Sequence, residues 1–382
     1  MLKVILLLGL VATASARWGA PITDIGAPGY NSQCDASVYK ASASVPTSVH
    51  SLRPADIKHV MALGDSLTAA NGAGAEDPLG IILQYRGLAF LAGGDKGLDK
   101  HITIPNILKT FNPNLFGQSR GIGADDVWPV AFLNSAIPGA RAIDLPNQAR
   151  DLVGKIQRHA DVIDNTNDWK LLNIFIGGND ACHYCLDPAK NDPKMFAQYI
   201  GEAIQIIKDN VPRVIVSLTG MLHLELVRSI DRTQFFCQAL HVDECHCESD
   251  ANYTNAQISE LVYRYQAVEA ELMTNGSFDT TDDFTLVVQP FFKDVIKPPM
   301  YPNGTIDIDF FTPDCFHFAQ KGHAIVSSWL WKNMLEPVGK KTTLGSLSVP
   351  SLPLDCPDRT CPFIRTTKNS PDCSKYMTPS AQ

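Results

Sequence analysis

Apolar positions along this chain fall into two repeating patterns. Five short runs rich in β-branched or aromatic residues, at 59–63, 127–133, 171–176, 213–218 and 284–288, each end close to Gly, Asn or Pro. Runs of that kind are expected of strands buried on both faces. Between and after them, apolar residues recur at helical spacing over 142–159, 193–211, 255–275 and 319–335. Strand alternating with helix predicts an α/β fold in which a parallel sheet, five-stranded on this count, is covered by helices on both faces. Such a sheet offers its functional positions on loops leaving the carboxyl ends of the strands.

The polar clusters that interrupt the pattern lie at those ends. "GDSL" (64–67) follows the first run, "NSAIPGA" (134–140) the second and "IGGNDAC" (176–182) the third. Taken alone, a serine after Gly-Asp is turn chemistry, and Ser66 becomes a nucleophile only if a base can take its proton. Among the ten histidines, "DCFHFAQKGH" (314–323) presents one with a carboxylate three residues upstream in a short loop entering a helix. At that spacing Asp314 can bond His317 Nδ1 and leave Nε2 free as the base. The N–H groups of Ser66 and Gly139 and the side-chain amide of Asn179 are donors suited to an oxyanion hole. In acyl transfer one such donor contributes about 3 kcal/mol.

Several neighbours have plainer readings. Gly139 could instead be a turn glycine and Asn179 a helix cap, and Asp180 reads as a loop-bonding or capping acid. His323 reads as a packed or solvent-facing residue of the following helix. The cluster "CQALHVDECHCESD", with Cys237, His241, Cys245, His246 and Cys247, has zinc-ligand residue types, but its spacings are unlike the common zinc patterns and disulfides are the expectation. Asp125-Asp126 and Asp282-Asp283 read as solvated loop charges, since no EF-hand pattern surrounds them. The long connection after Tyr85 either lines an acyl pocket with its apolar residues up to Phe116 or covers the sheet with them.

Composition places these elements in a compartment. Lys3, the apolar stretch 4–11 and the small residues Ala12 to Ala16 form a secretory signal peptide, with cleavage expected after Ala16. The stretch is too short to span a bilayer, which takes about 20 residues. Ten cysteines fit an oxidising environment, and sequons at Asn252, Asn275 and Asn303 are glycosylation candidates. A net charge of −8 gives no support for nucleic-acid partners or for adsorption to anionic membranes through a basic patch. With 382 residues, 45% of them hydrophobic, one large domain is the simplest count. The expected division is a signal peptide at 1–16, an extension at 17–51, the catalytic domain at 52–338 and a Ser/Thr/Pro-rich, cysteine-containing tail at 339–382. Disulfides tie that tail down in one reading; in the other it is a disordered stalk.

Together, "GDSL", "NSAIPGA", "IGGNDAC" and "DCFHFAQKGH" resemble, in order, the four sequence blocks of the GDSL or SGNH hydrolases. "YRGLAFLAGGDK" (85–96), "IPNILKTFNPNL" (104–115) and the cysteine after "GGND" resemble the phospholipase B-like branch of that family. The resemblance runs from about Leu52 to Met334. It implies a flavodoxin-like, three-layer α/β/α sandwich with Ser66 as nucleophile, His317 as base, Asp314 as its orienting acid, and Ser66, Gly139 and Asn179 at the oxyanion positions. It also implies hydrolysis of fatty acyl esters in phospholipids and lysophospholipids through an acyl-enzyme, with transient contact with lipid surfaces and no metal or organic cofactor. No Gly-x-Ser-x-Gly elbow is present, so the α/β-hydrolase type of site is not supported. Unlike the membrane enzymes of the branch, the protein is expected to have one catalytic unit, no C-terminal anchor and no transmembrane segment after signal removal. Two other functions fit less well: an esterase acting on carbohydrate acetyl or neutral-lipid esters, and a secreted lipid-binding glycoprotein without turnover.

Overall fold

The computed structural model describes residues 23–231, 237, 241, 244–348 and 353–377. The predicted leader lies outside them. Four strands, β1 (Ile57–Gly64), β2 (Trp169–Phe175), β3 (Val214–Thr219) and β4 (Phe284–Gln289), form one sheet in the order β1-β2-β3-β4. Every neighbouring pair is parallel, in registers such as Met61↔Leu172, Leu172↔Val216 and Val216↔Leu286. All their residues except Lys58 are buried, as a sheet covered on both faces requires.

Side chains alternate between two cores. Val60, Ala62, Leu171 and Ile215 pack on one face of the sheet, while Met61, Leu63, Leu172 and Val216 pack on the other. The first face is covered by α1 (Ile104–Phe111) and α7 (Gln320–Leu335), and the second by α2 (Leu145–Arg158), α4 (Pro193–Asn210) and α6 (Asn255–Thr274). Two shorter helices, α3 (Gly178–His183) and α5 (Glu225–Asp231), stand beyond the carboxyl ends of β2 and β3. Local signals start the long helices. Asp192 accepts from Lys194 N ahead of Pro193 in α4, and Thr254 and Gln257 form a capping box in α6. The result is the expected three-layer α/β/α arrangement.

One predicted strand is not a strand. In the run 127–133, Trp128–Ala131 is a single helical turn with a proline in its first two positions. Pro129 has no N–H to give a ladder and its ring suits the start of a helix, so the apolar run winds up instead of extending. What remains beside β1 are isolated parallel bridges, His59↔Phe116 and Ala62↔Asn134.

The long connection after Tyr85 has structure of its own. Thr103 caps α1 through Asn106 N, and Ile104, Ile107, Leu108 and Phe111 bury against the first core. The segment therefore covers the sheet. The tail is ordered over 353–377: Cys356 bonds Cys34, Cys361 bonds Cys373, Ile364 N donates to Leu52 O at 2.8 Å, and the Trp331 indole donates to Asp355 O at 2.8 Å. Among the described residues no helix is long and apolar enough to cross a membrane.

Candidate active site

The polar blocks meet at the carboxyl edge of the sheet. β1 ends at Gly64, where a Cβ would lie 2.3 Å from Thr68 Oγ1 and 2.4 Å from Phe175 O, so only glycine lets the chain turn there. The Gln148 side chain, reaching up from α2, accepts from Gly64 N at 2.9 Å and donates to Gly64 O at 2.8 Å. Beyond it Asp65 Oδ1 accepts from Leu67 N, and Asp65 O accepts from Thr68 N and Ala69 N. That closed turn carries Ser66. Burial pushes the Asp65 carboxyl up to about 6.

The loop carrying Asp314 and His317 approaches from the other side. Asp314 is fully buried, and its Oδ1 accepts from Thr312 Oγ1 at 2.5 Å, Phe316 N at 2.8 Å and His317 N at 2.9 Å. Its Oδ2 lies 2.7 Å from His317 Nδ1, and His317 Nε2 lies 2.8 Å from Ser66 Oγ. Burial pushes the Asp314 carboxyl up, but the His317 charge and these donors outweigh it and hold the carboxyl below its usual range. Burial likewise disfavours a charged His317, and the Asp314 carboxylate outweighs that, so the ring binds its proton more tightly than a free imidazole. A ring so oriented can take a proton from the Ser66 hydroxyl and hold it beside a carboxylate.

Gly139 and Asn179 are brought to the same edge. Ser135 N donates to Ala62 O at 2.9 Å and Ile137 N to Gly64 O at 3.2 Å, which lays the 134–140 loop along the end of β1. Asn134 braces it by donating to Thr68 O and accepting from Ala136 N. The buried Arg86 guanidinium donates to Asn134 O, Ala136 O and Gly123 O. Gly139 has φ +78° with open space where a Cβ would stand, so a left-handed turn, and not crowding, explains a glycine there. Asn179 Nδ2 donates to Ala140 O at 2.9 Å, while Asp180 accepts Ala142 N at 3.0 Å, as expected of a loop-bonding acid. Burial pushes the Asp180 carboxyl up to about 7. His323 lies apart, fully buried under Phe90, whose N–H donates to its Nδ1 at 3.3 Å.

Ser66 and Asn179 border a small pocket of about 40 Å³. Its walls are apolar: Leu222, Leu224, Leu226 and Val227 on one side, Phe310, Phe311, Phe316 and Phe318 on another. No residue of 85–116 lines it, so the acyl-pocket reading of that segment falls and the sheet-cover reading stands. Sequence reasoning missed 222–227 because the stretch carries no motif; its one signal was its place after β3. Two buried α6 side chains hold the base of this wall, Glu269 accepting Met221 N at 3.1 Å and Gln266 donating to Met221 O at 2.7 Å. Burial pushes the Glu269 carboxyl up to about 8.

Cysteines fasten the segment that follows. Cys182 and Cys185, at and just beyond the end of α3, bond Cys245 and Cys247, and Cys237 bonds Cys315 between Asp314 and Phe316. The three cysteines of the Cys/His cluster are thus committed to disulfides, and all ten in the chain are paired. Asn252, Asn275 and Asn303 are exposed.

The chain belongs to a family of carboxylic ester hydrolases: the family model "GDSL-like Lipase/Acylhydrolase" matches residues 60–330. Its relatives include "Phospholipase B1, membrane-associated" from Homo sapiens, 44% identical over 336 residues, and the proteins of the same name from Rattus norvegicus and Mus musculus, 41% and 42% identical over the same length. The matches cover 86% of this chain but only 22–23% of those relatives, so the chain spans less than a quarter of their length.

Proposed function

We propose that this chain hydrolyses fatty acyl esters of phospholipids and lysophospholipids, with Ser66 as nucleophile, His317 as general base and Asp314 as its orienting acid. The observation that carries the reading is the 2.8 Å contact between His317 Nε2 and Ser66 Oγ at the edge of a pocket lined by leucine and phenylalanine side chains. The printed name of the relatives, a phospholipase, agrees with it.

The chemistry follows from the proton path. His317 Nε2 takes the Ser66 proton as Oγ attacks the ester carbonyl, and Asp314, bonded at Nδ1, stabilises the imidazolium that forms. Negative charge gathers on the former carbonyl oxygen, where the Ser66 and Gly139 N–H groups and the Asn179 amide serve as donors. The imidazolium returns the proton to the leaving alcohol, which departs and leaves an acyl-Ser66. His317 then deprotonates a water that attacks the same carbonyl; the bond to Ser66 Oγ breaks, Oγ takes the proton back from His317, and the fatty acid is released.

We also read the chain as secreted and glycosylated at Asn252, Asn275 and Asn303, a reading supported by the leader pattern, the five disulfides and the exposure of all three asparagines. Residues 52–338 form the catalytic unit in this reading, and the segments 17–51 and 339–382 flank it. Turnover of phosphatidylcholine, lysophosphatidylcholine, triolein and acetylated sugars, compared on one preparation, tests the substrate. Hydrolysis of either phospholipid supports the proposal. Activity confined to triolein or the sugars overturns its substrate class, and a folded protein that no fluorophosphonate labels overturns catalysis altogether.

A further inference from the structure

Exposed apolar side chains are ordinary when scattered singly, and informative when several loops gather them in one place. Leu79 and Ile82 are 76% and 79% exposed, and Leu83, Ile122, Val127 and Ile137 are exposed as well. They sit on three loops joined to one another and to the catalytic turn. Asn71 N donates to Ser66 O, Gly72 N to Leu83 O, and Gly123 N to Gln84 O. Arg86 then links Gly123 O to Asn134 O and Ala136 O, one residue before Ile137. A Cβ on Gly72 would lie 3.2 Å from both Ile81 Cα and Thr312 Cγ2, so Gly72 sits between the 78–83 turn and the loop that carries Asp314.

We infer that these loops form a docking surface for a zwitterionic lipid aggregate, set beside Ser66 so that the lipid leaves its surface directly into the acyl pocket. The inference rests on the phospholipid reading above. A substrate with two acyl chains resides in an aggregate, and lifting it into water exposes apolar area at about 25 cal/mol per Å². An enzyme that lays apolar side chains on the aggregate avoids part of that cost. Charge selects the surface. The three segments that hold these side chains, 76–84, 120–127 and 134–141, carry Glu76, Asp77, Asp125 and Asp126 against two arginines, Arg120 and Arg141, and no lysine. That acidic excess beside the apolar tips repels an anionic membrane and complements the outward-facing quaternary ammonium groups of a phosphatidylcholine surface.

The test separates docking from chemistry. Binding to phosphatidylcholine vesicles is measured by co-sedimentation in a Ser66→Ala background, so that no substrate turns over, with and without Leu79→Ser and Ile82→Ser together. Activity of the otherwise unaltered Leu79→Ser/Ile82→Ser enzyme is measured on a soluble short-chain ester and on the vesicles. The expected result is a loss of vesicle affinity of about tenfold or more, a matching loss of vesicle hydrolysis, and an unchanged rate on the soluble ester. Replacing a third of the phosphatidylcholine by phosphatidylglycerol is expected to weaken binding at low ionic strength, and salt to restore it.

Equal vesicle affinity with and without the two serines overturns the inference. So does a patch whose substitution only shifts sedimentation of the free protein from dimer to monomer, which would make it a contact between copies of this chain. Strong vesicle binding without hydrolysis of any phospholipid would instead sink the phospholipase reading and leave the docking surface standing.

Discussion

The rim of the site and its pocket are built in different ways. The rim consists of short polar loops, each leaving a strand or entering a helix, and held by hydrogen bonds such as those of Gln148 to Gly64 and Asp180 to Ala142. The pocket wall consists of apolar side chains from 222–227 and 310–318, drawn together by burial and by the disulfides that run from the segment beyond α5 to α3 and to Cys315. Polar geometry needs specific residues at specific positions. An apolar wall needs only enough carbon in the right volume. The rim is therefore expected to be intolerant of single changes, and the pocket to respond in degree.

The sharpest test of that contrast is at Ser66. Ser66→Ala is expected to lower kcat by on the order of 10⁴-fold or more and to abolish fluorophosphonate labelling, while thermal unfolding stays near wild type. A variant with substantial turnover would show that the rim is not the reacting centre. Asp314→Asn comes next, with an expected fall in kcat of up to about 10⁴-fold, as for other triads whose orienting acid is neutralised.

The same variant carries a pH signature. In the proposed mechanism neutral His317 is the active form, so kcat/KM is expected to rise with pH as the ring loses its proton, and the Asp314 charge places that limb above the pKa of a free imidazole. Removing the charge lowers the ring's pKa and moves the limb to lower pH. A limb that stayed in place would mean that His317 does not feel Asp314.

Pocket changes are expected to be smaller and selective. Val227→Trp fills part of the wall, and kcat/KM for long-chain lysophosphatidylcholine should fall about tenfold or more, while a butyryl ester loses much less. Parallel losses on both substrates would place the acyl chain elsewhere. Smallest is Thr312→Val, which removes one of the three donors to Asp314 Oδ1. It should cost about 1 to 3 kcal/mol of stability in denaturant unfolding and lower kcat modestly.

Much of the fold was legible because its signals are local. Four of five apolar runs are strands, and each of the four helical stretches is a helix to within a few residues. The fifth run misled because periodicity reports burial and does not register that Pro129 cannot enter a ladder. In the candidate site the polar blocks could be found for a similar reason: Asp314 and His317 are three residues apart, and the glycines mark turns at strand exits. Nothing local distinguishes Leu224 or Phe318, which line the pocket, from Leu108 or Phe111, which cover the sheet.

By itself the sequence determined the alternation of strand and helix, the turns at the strand ends and the pairing of Asp314 with His317, all set by contacts within a few residues. Tertiary structure decided the rest. It brought His317 to Ser66 across 251 residues of chain, paired the ten cysteines, and chose which apolar side chains face a cavity and which face a core. Those outcomes depend on how the layers pack, because hydrophobic burial is non-directional and assigns no partner until the volume around each side chain is filled.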